Sequence, residues 1–160
     1  KPEKFCQISI KVFIEEYKEK PDFNFTLSAK LNNKSRLYEG EKVSISGEVS
    51  KESFLTVLGW YPDSDKSSYY QIFPNKFDNK NLIKKFFNVP KEKSSNYQLV
   101  TKFPENFKLD ETFEFFVIVA SKKKLDILEV EEISDFKKRL SILGRSNWEM
   151  KKLGYTIMRN

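Results

Sequence analysis

The sequence predicts an all-β protein, a β-sandwich that carries one amphipathic helix near its C-terminal end and then closes with a strand. Three observations predict it. Apolar residues recur at every second position over most of the chain, the signature of half-buried strands. One late stretch switches to spacings of three and four, the period of a helix face. Aromatics make up 15% of the residues, with 15 Phe, 7 Tyr and 2 Trp. Each ring can bury about 150–250 Å², so a core can be filled although only 39% of residues are hydrophobic and 32% are charged. A chain of 160 residues fits a single domain, 1–160. With 5 Gly and 6 Pro it is not of low complexity.

Taken in order, Cys6, Ile8, Ile10, Val12 and Ile14 alternate with polar neighbours, apart from Phe13, and predict a first strand. Phe23, Phe25, Leu27, Ala29 and Leu31 alternate likewise, after a connection at Lys18–Asp22 that contains Pro21. Asn32-Asn33-Lys34-Ser35 marks a turn. Val43, Ile45, Gly47 and Val49 form the next inward set. Phe54–Tyr61 is nearly all apolar, as expected of a central strand buried on both faces. Pro62–Ser68 reads as a polar hairpin loop, and Tyr69–Phe73 returns as a strand that stops at Pro74-Asn75. Asp78–Lys85 is expected to form a short turn or helix. Phe86, Phe87 and Val89 precede Pro90, which biases Val89 towards an extended conformation. Tyr97, Leu99 and Thr101 continue as a strand, Pro104–Asp110 connects, and Thr112–Ala120 is rich in Phe and Val, a buried strand.

Beyond Ser121 the period changes. Val130, Ile133, Phe136, Leu140 and Leu143 form one stripe and place a helix over residues 129–143. Glu129, Glu131 and Glu132 lie near its expected start and Lys137, Lys138 and Arg139 near its end, an order that complements the helix dipole. Gly144 is placed to stop it. Residues 148–158 then predict the closing strand, with Leu153, Tyr155 and Ile157 on one face.

Composition excludes several chemistries. With no His, the chain has neither a Ser-His-Asp nor a Cys-His triad, nor a His-ligated zinc or haem site. Cys6 is the sole cysteine, so Cys-rich metal sites and intrachain disulfides are impossible. No glycine-rich phosphate loop is present. Asp63 and Asp65 are spaced as at the start of a calcium loop, but its Gly and distal Glu are missing and Lys66 competes with the ion. Paired carboxylates can hydrolyse glycosides, yet among 23 acidic residues pairs arise by chance and none sits in a recognisable motif. The expectation is no catalytic residue, no metal and no cofactor. No apolar run is long enough to span a membrane. The chain opens Lys-Pro-Glu-Lys without an apolar signal core, and Lys4-Phe5 before Cys6 is not a lipoprotein cleavage site. It is expected either to follow a removed signal or to belong to a longer chain.

A set of residues in order resembles a known family. Tyr38-Glu39-Gly40-Glu41-Lys42-Val43 is followed by Ser53–Leu58, then by Tyr70-Gln71-Ile72-Phe73-Pro74-Asn75, by Asn88-Val89-Pro90 and by Glu114–Ser121. These resemble the bacterial family called domain of unknown function 4384 over about residues 27–127. Phe73-Pro74-Asn75 is its most specific part. Glu52-Ser53 stand where the family usually has a Gly before its second strand, and the Pro-Gly before its last strand is absent. The resemblance implies an immunoglobulin-like antiparallel sandwich, found in bacterial envelope lipoproteins or attached to caspase-like peptidases and protein kinases. It implies no catalytic residues.

The expected function is therefore a non-catalytic binding or accessory module of a bacterial envelope or multidomain signalling protein. It would recognise a protein partner through sheet edges and loops. The expected location is the envelope or periplasm, or the cytoplasm if the domain comes from a signalling protein. Trp60 and Tyr61, at a strand end beside a loop, are candidate contacts. So are Lys84, Lys85, Lys122, Lys123 and Lys124. The net charge of +6 and pI of about 9.2 admit an alternative, a binder of an anionic polymer such as an envelope glycan, lipid headgroups or nucleic acid. Nucleic acid is disfavoured, because the aromatics beside the lysines fall inside strand patterns where core packing is the default. A His-free hydrolase is the remaining alternative.

Overall fold

Residues 19–62, 68–91, 97–105 and 107–159 are described by the computed structural model of the chain. The strands are β1 (Leu27–Leu31), β2 (Arg36–Tyr38), β3 (Lys42–Val43), β4 (Ile45–Val49), β5 (Ser53–Trp60), β6 (Ser68–Phe73), β7 (Leu82–Ile83), β8 (Phe86–Val89), β9 (Leu99–Val100), β10 (Glu111–Ser121), β11 (Val130–Glu132) and β12 (Trp148–Met158), and the helix α1 is Ile133–Leu143. The expected strand Cys6–Ile14 and the loop with Asp63 and Asp65 lie outside the described residues.

The fold is β-rich with open sheets and one C-terminal helix. A seven-stranded sheet runs in the order β11-β6-β5-β10-β12-β2, with β7 also pairing β5. A three-stranded sheet runs β1-β4-β8, and β3 pairs β9 apart from both. All pairings are antiparallel except β12 with β2.

β10 lies between β5 and β12 and is buried from Phe116 to Ser121. Its alternation sends side chains into two cores. Phe116, Ile118 and Ala120 meet Leu55, Val57, Tyr155 and Ile157 on one face, and there they pack on Val43, Ile45, Val49, Phe87 and Val89. Val117 and Val119 join Leu58, Tyr69 and Trp148 on the other face, under Phe136 and Leu140 of α1. Phe136 meets the edge of Tyr69 at 5.2 Å. The Trp148 indole N–H donates to the Leu140 carbonyl at 3.0 Å, which gives the buried ring a polar partner.

The structure departs from the sequence expectations in four places. First, β1 starts at Leu27 rather than Phe23. Asp22 and Asn24 instead form a turn, in which the Phe25 N–H donates to the Asp22 carbonyl at 2.8 Å and the Asn24 N–H to Asp22 Oδ1 at 3.0 Å. An Asp side chain that bonds the backbone two residues on favours this turn over a strand. Second, Asp78–Lys85 forms neither the expected turn nor a helix but an extended segment whose Leu82–Ile83 pair with β5 as β7. Asn81 clamps it beside β5, with its side chain donating to the Leu55 carbonyl at 3.1 Å and its carbonyl accepting from the Leu55 N–H at 2.8 Å.

Third, the helix begins at Ile133 rather than 129, because Val130–Glu132 pair with Ser68–Tyr70 as β11. Val130 is therefore not part of the helical stripe. Fourth, Glu129, Glu131 and Glu132 precede the helix, Asp135 is the acid of its first turn, and no basic residue lies in its last turn. Gly144 does end it, at φ 84°, with its N–H on the Ser141 carbonyl at 3.1 Å. The closing strand over 148–158 matches the expected range.

Candidate binding surface

At one end of the molecule the chain crosses twice between the two sheets. The link from β4 to β5 holds Ser50, Lys51 and Glu52, and the link from β7 to β8 is Lys84-Lys85. β10 finishes at the same level, since Ser121 pairs with Phe54 and Ile83 pairs with Ser53. Lys122 and Lys123 leave from there. The turn at residues 22–25 completes this end. Ser50 donates to the Asn24 carbonyl at 2.9 Å and accepts from the Thr26 N–H at 2.8 Å. On the other side the Val49 N–H donates to the Lys85 carbonyl at 2.8 Å.

Two lysine pairs that are 37 positions apart in sequence thus share one end of the fold. Lys51, which sequence patterning did not single out, sits on the β4–β5 link and shares Asp22 with Lys122. On these turns five lysines stand against Asp22 and Glu52, and Glu48 of β4 lines the same hollow as Lys84 and Lys85. Asp22 Oδ2 accepts from both Lys122, at 2.8 Å, and Lys51, at 2.9 Å. Lys122 also lies 5.4 Å over the Phe25 ring. Lys84, Lys85 and Lys123 are exposed and make no ion pair among the described residues. Lys85 lies 4.9 Å over the Phe86 ring. Lys122 is thus committed to the fold, while these three present their charge to solvent. Lys124 faces elsewhere, into a shallow groove of about 800 Å³ lined also by Pro74, Phe77 and Tyr97.

The bonds from Lys122 and then Lys51, with the Asn24 N–H, hold the Asp22 carboxyl well below the usual carboxylate range. Its folded-state pKa is depressed, so its contribution to stability is present above the unfolded value of about 3.9 and fades as pH falls below it. Asp22→Asn is therefore expected to lower the urea midpoint at neutral pH and to flatten its decline between about pH 4 and pH 2. An acid limb identical to that of the parent chain excludes the clamp.

Phe23 and Phe86 add two apolar groups to this end, 81% and 69% exposed. Sequence alternation assigned Phe23 to a strand, but it sits on the turn. The signal that reveals it is the turn chemistry of Asp22 and Asn24. In Phe86-Phe87 the alternation buries Phe87 and leaves Phe86 outside.

Trp60 and Tyr61 lie at the other end of β5, six residues or about 20 Å from Phe54. They do not form one contact surface, because strand alternation sends them to opposite faces. Trp60 is half-buried, stacked on Phe115 at 5.1 Å with Lys152 5.4 Å over its ring. Tyr61 is half-buried and meets Tyr70 edge-on at 5.5 Å. Burial, and then the Glu114 charge, push the Tyr61 hydroxyl up to about 12.

The remaining polar constellations serve the fold. Glu114 is buried and accepts from the Tyr155 hydroxyl at 2.7 Å. Burial, then that charge, raise the Tyr155 hydroxyl far above its ordinary range. In Phe73-Pro74-Asn75, whose Phe73-Pro74 bond is cis, Asn75 Nδ2 donates to the Ile72 carbonyl at 2.7 Å. Its Oδ1 accepts from the Phe77 and Asp78 N–H groups at 2.8 and 2.9 Å. Gln71 Nε2 donates to the Pro74 carbonyl at 2.6 Å, so most of the motif's polar atoms bond within its own turn, and Asn75 also faces the Tyr97 hydroxyl. Among the described residues no three metal-capable side chains cluster, and no helix is long and apolar enough to cross a membrane. No protein-family model matches the chain, and no curated protein or solved structure does either.

Proposed function

We propose that this domain is a non-catalytic binding module that takes an anionic partner on the end formed by Lys51, Lys84, Lys85, Lys122 and Lys123. The observation that carries the reading is the convergence of two separate lysine pairs on adjoining turns, with three of the lysines outside any ion pair among the described residues. A surface of one dominant sign raises the local concentration of oppositely charged partners and speeds their capture. Loops held on a rigid sheet framework suit recognition. The acids with the deepest burial, Glu114 and Glu131, are bonded to Tyr155 and Arg139, which supports a binding role over a hydrolytic one.

We further propose an immunoglobulin-like arrangement of the sheets and a place in an envelope or multidomain signalling protein; both rest on the sequence resemblance alone, since no family model matches the chain.

The test is titration against a soluble polyanion, dextran sulfate, at rising ionic strength. Affinity is expected to fall steeply between about 0.05 and 0.3 M salt as screening shortens. The double variant Lys84→Glu, Lys85→Glu is expected to lose most of the binding at every salt concentration. Binding indifferent to both salt and charge reversal refutes the reading.

A second reading is recognition of a protein strand along β8. Among the described residues β8 pairs with β4 alone, and it turns Phe86 and Asn88 outward. An extended peptide can add to such an edge. Binding that survives high salt and is lost with Phe86→Ser favours this reading.

A further inference from the structure

We infer that the anionic partner is a membrane surface, on which the lysine-bearing end docks with the Phe23 ring entering the headgroup layer. The inference rests on the reading just given and names the partner within it. The Phe23 ring is 81% exposed at the tip of the 22–25 turn. It has no aromatic or cationic partner among the described residues. The turn that carries it is anchored by Asp22 to Lys51 and Lys122. An exposed apolar ring therefore sits on a turn that two of the lysines themselves hold in place. Phe86, 69% exposed beside Lys85, repeats the pairing on the neighbouring link.

A soluble polyanion satisfies the lysines but offers the rings nothing comparable. An anionic bilayer satisfies both groups. Its surface potential attracts lysines within a Debye length. Its headgroup and acyl boundary takes up apolar side chains from proteins that lie on the membrane without crossing it. The complementarity is one of charge with apolarity; Phe77, 52% exposed under Lys76, repeats it elsewhere on the surface, but its ring is stacked on Tyr97 at 6.2 Å, whereas Phe23 stacks on no ring among the described residues. At the other end of β5, Trp60 is stacked on Phe115 rather than presented to solvent.

The whole chain is sedimented with vesicles of phosphatidylcholine alone and with vesicles in which about one-third of the lipid is phosphatidylglycerol. Dextran sulfate and a single-stranded oligonucleotide serve as membrane-free polyanions. Binding is expected to the anionic vesicles and not to the neutral ones. Phe23→Ser, which alters an exposed ring and leaves the unfolding midpoint in place, is expected to weaken vesicle binding about tenfold. The same variant is expected to bind dextran sulfate as the parent does.

If the chain binds the soluble polyanions but no vesicle, the membrane inference fails and the anionic reading stands. If it binds neither, both fail. Equal vesicle binding by the Phe23 variant also overturns the inference. So does oligonucleotide binding that depends on Phe23, which assigns the ring to base stacking instead.

Discussion

Gly47→Ala is expected to destabilise the protein by about 3 kcal/mol or more, at the upper end of what overpacking a core costs. Gly47 is the middle residue of β4, itself the middle strand of the small sheet, with Ala29 on one side and Phe87 on the other. A Cβ built there lies 2.2 Å from the Ser28 carbonyl oxygen and 2.4 Å from Phe87 Cζ. Neither obstacle can yield easily. The oxygen belongs to the backbone of β1, and the ring is 5% exposed and wedged in the inter-sheet core. In an unobstructed strand the same change is stabilising, because Gly carries excess entropy in the unfolded chain. The sign of the effect therefore reports the contact and not the propensity.

Gly59→Ala is the internal control. Its Cβ meets Ile72 Cδ1 at 3.1 Å, the far end of a flexible side chain, and its cost is expected to stay below about 1 kcal/mol. Urea midpoints of the two variants are the measurement. Equal midpoints mean that neither the Ser28 oxygen nor the Phe87 ring crowds Gly47. Adding Phe87→Leu to Gly47→Ala is expected to recover part of the loss and leave the part due to Ser28.

Most of the sheet framework was legible because its signals are local. Thr112–Ala120 is rich in Phe and Val and apolar at every position from Phe115 on, as expected of a strand buried on both faces, and it is the core of β10. Gly144 announced the helix stop through its position after the last apolar residue, and it has the positive φ that this requires. The helix start was illegible for a tertiary reason. Val130 stands three positions before Ile133 and so satisfies the helical period, but the edge of β6 competes for it and wins through pairing with Tyr70. The parallel contact of β12 with β2 joins residues about 120 positions apart and leaves no trace in the alternation of either strand.

The candidate surface divides in the same way. Lys84-Lys85 and Lys122-Lys123-Lys124 were visible as runs of like charge. Their convergence was not, because it depends on the level at which β7 and β10 meet β5. Nor could spacing separate Lys122 from its neighbours, since only the folded chain brings Asp22 to it across 100 positions. Phe23 shows how two local signals conflict. Alternation with Phe25 and Leu27 reads as strand, while an Asp and an Asn flanking the ring read as turn, and the hydrogen bonds of the turn prevail.

Arg139→Met is expected to cost about 3 kcal/mol, although Arg139 looks like one more cation on an exposed helix face. Its Nε donates to Glu131 Oε1, and that bond holds the guanidinium even further above its ordinary range. The side chain of Glu131 is only 1% exposed, whereas that of Arg139 is 42% exposed. Among the described residues the acid has one other partner, the Leu128 N–H, which donates to Oε2 at 3.0 Å. Removing the arginine leaves a buried carboxylate without its counter-charge, the situation in which breaking an ion pair costs several kcal/mol. The pair links β11, which closes one edge of the large sheet, to the middle of α1, so the loss is expected to loosen helix and edge strand together. Glu131→Gln added to Arg139→Met removes the stranded charge, keeps an acceptor for Leu128, and is expected to restore more than half of the lost stability. A double variant no more stable than Arg139→Met alone means that the arginine acts by packing its stem rather than by neutralising the acid. Single-variant stability equal to that of the parent means that water replaces the guanidinium at no cost, and then the Glu131–Arg139 bond is not what joins the helix to the sheet.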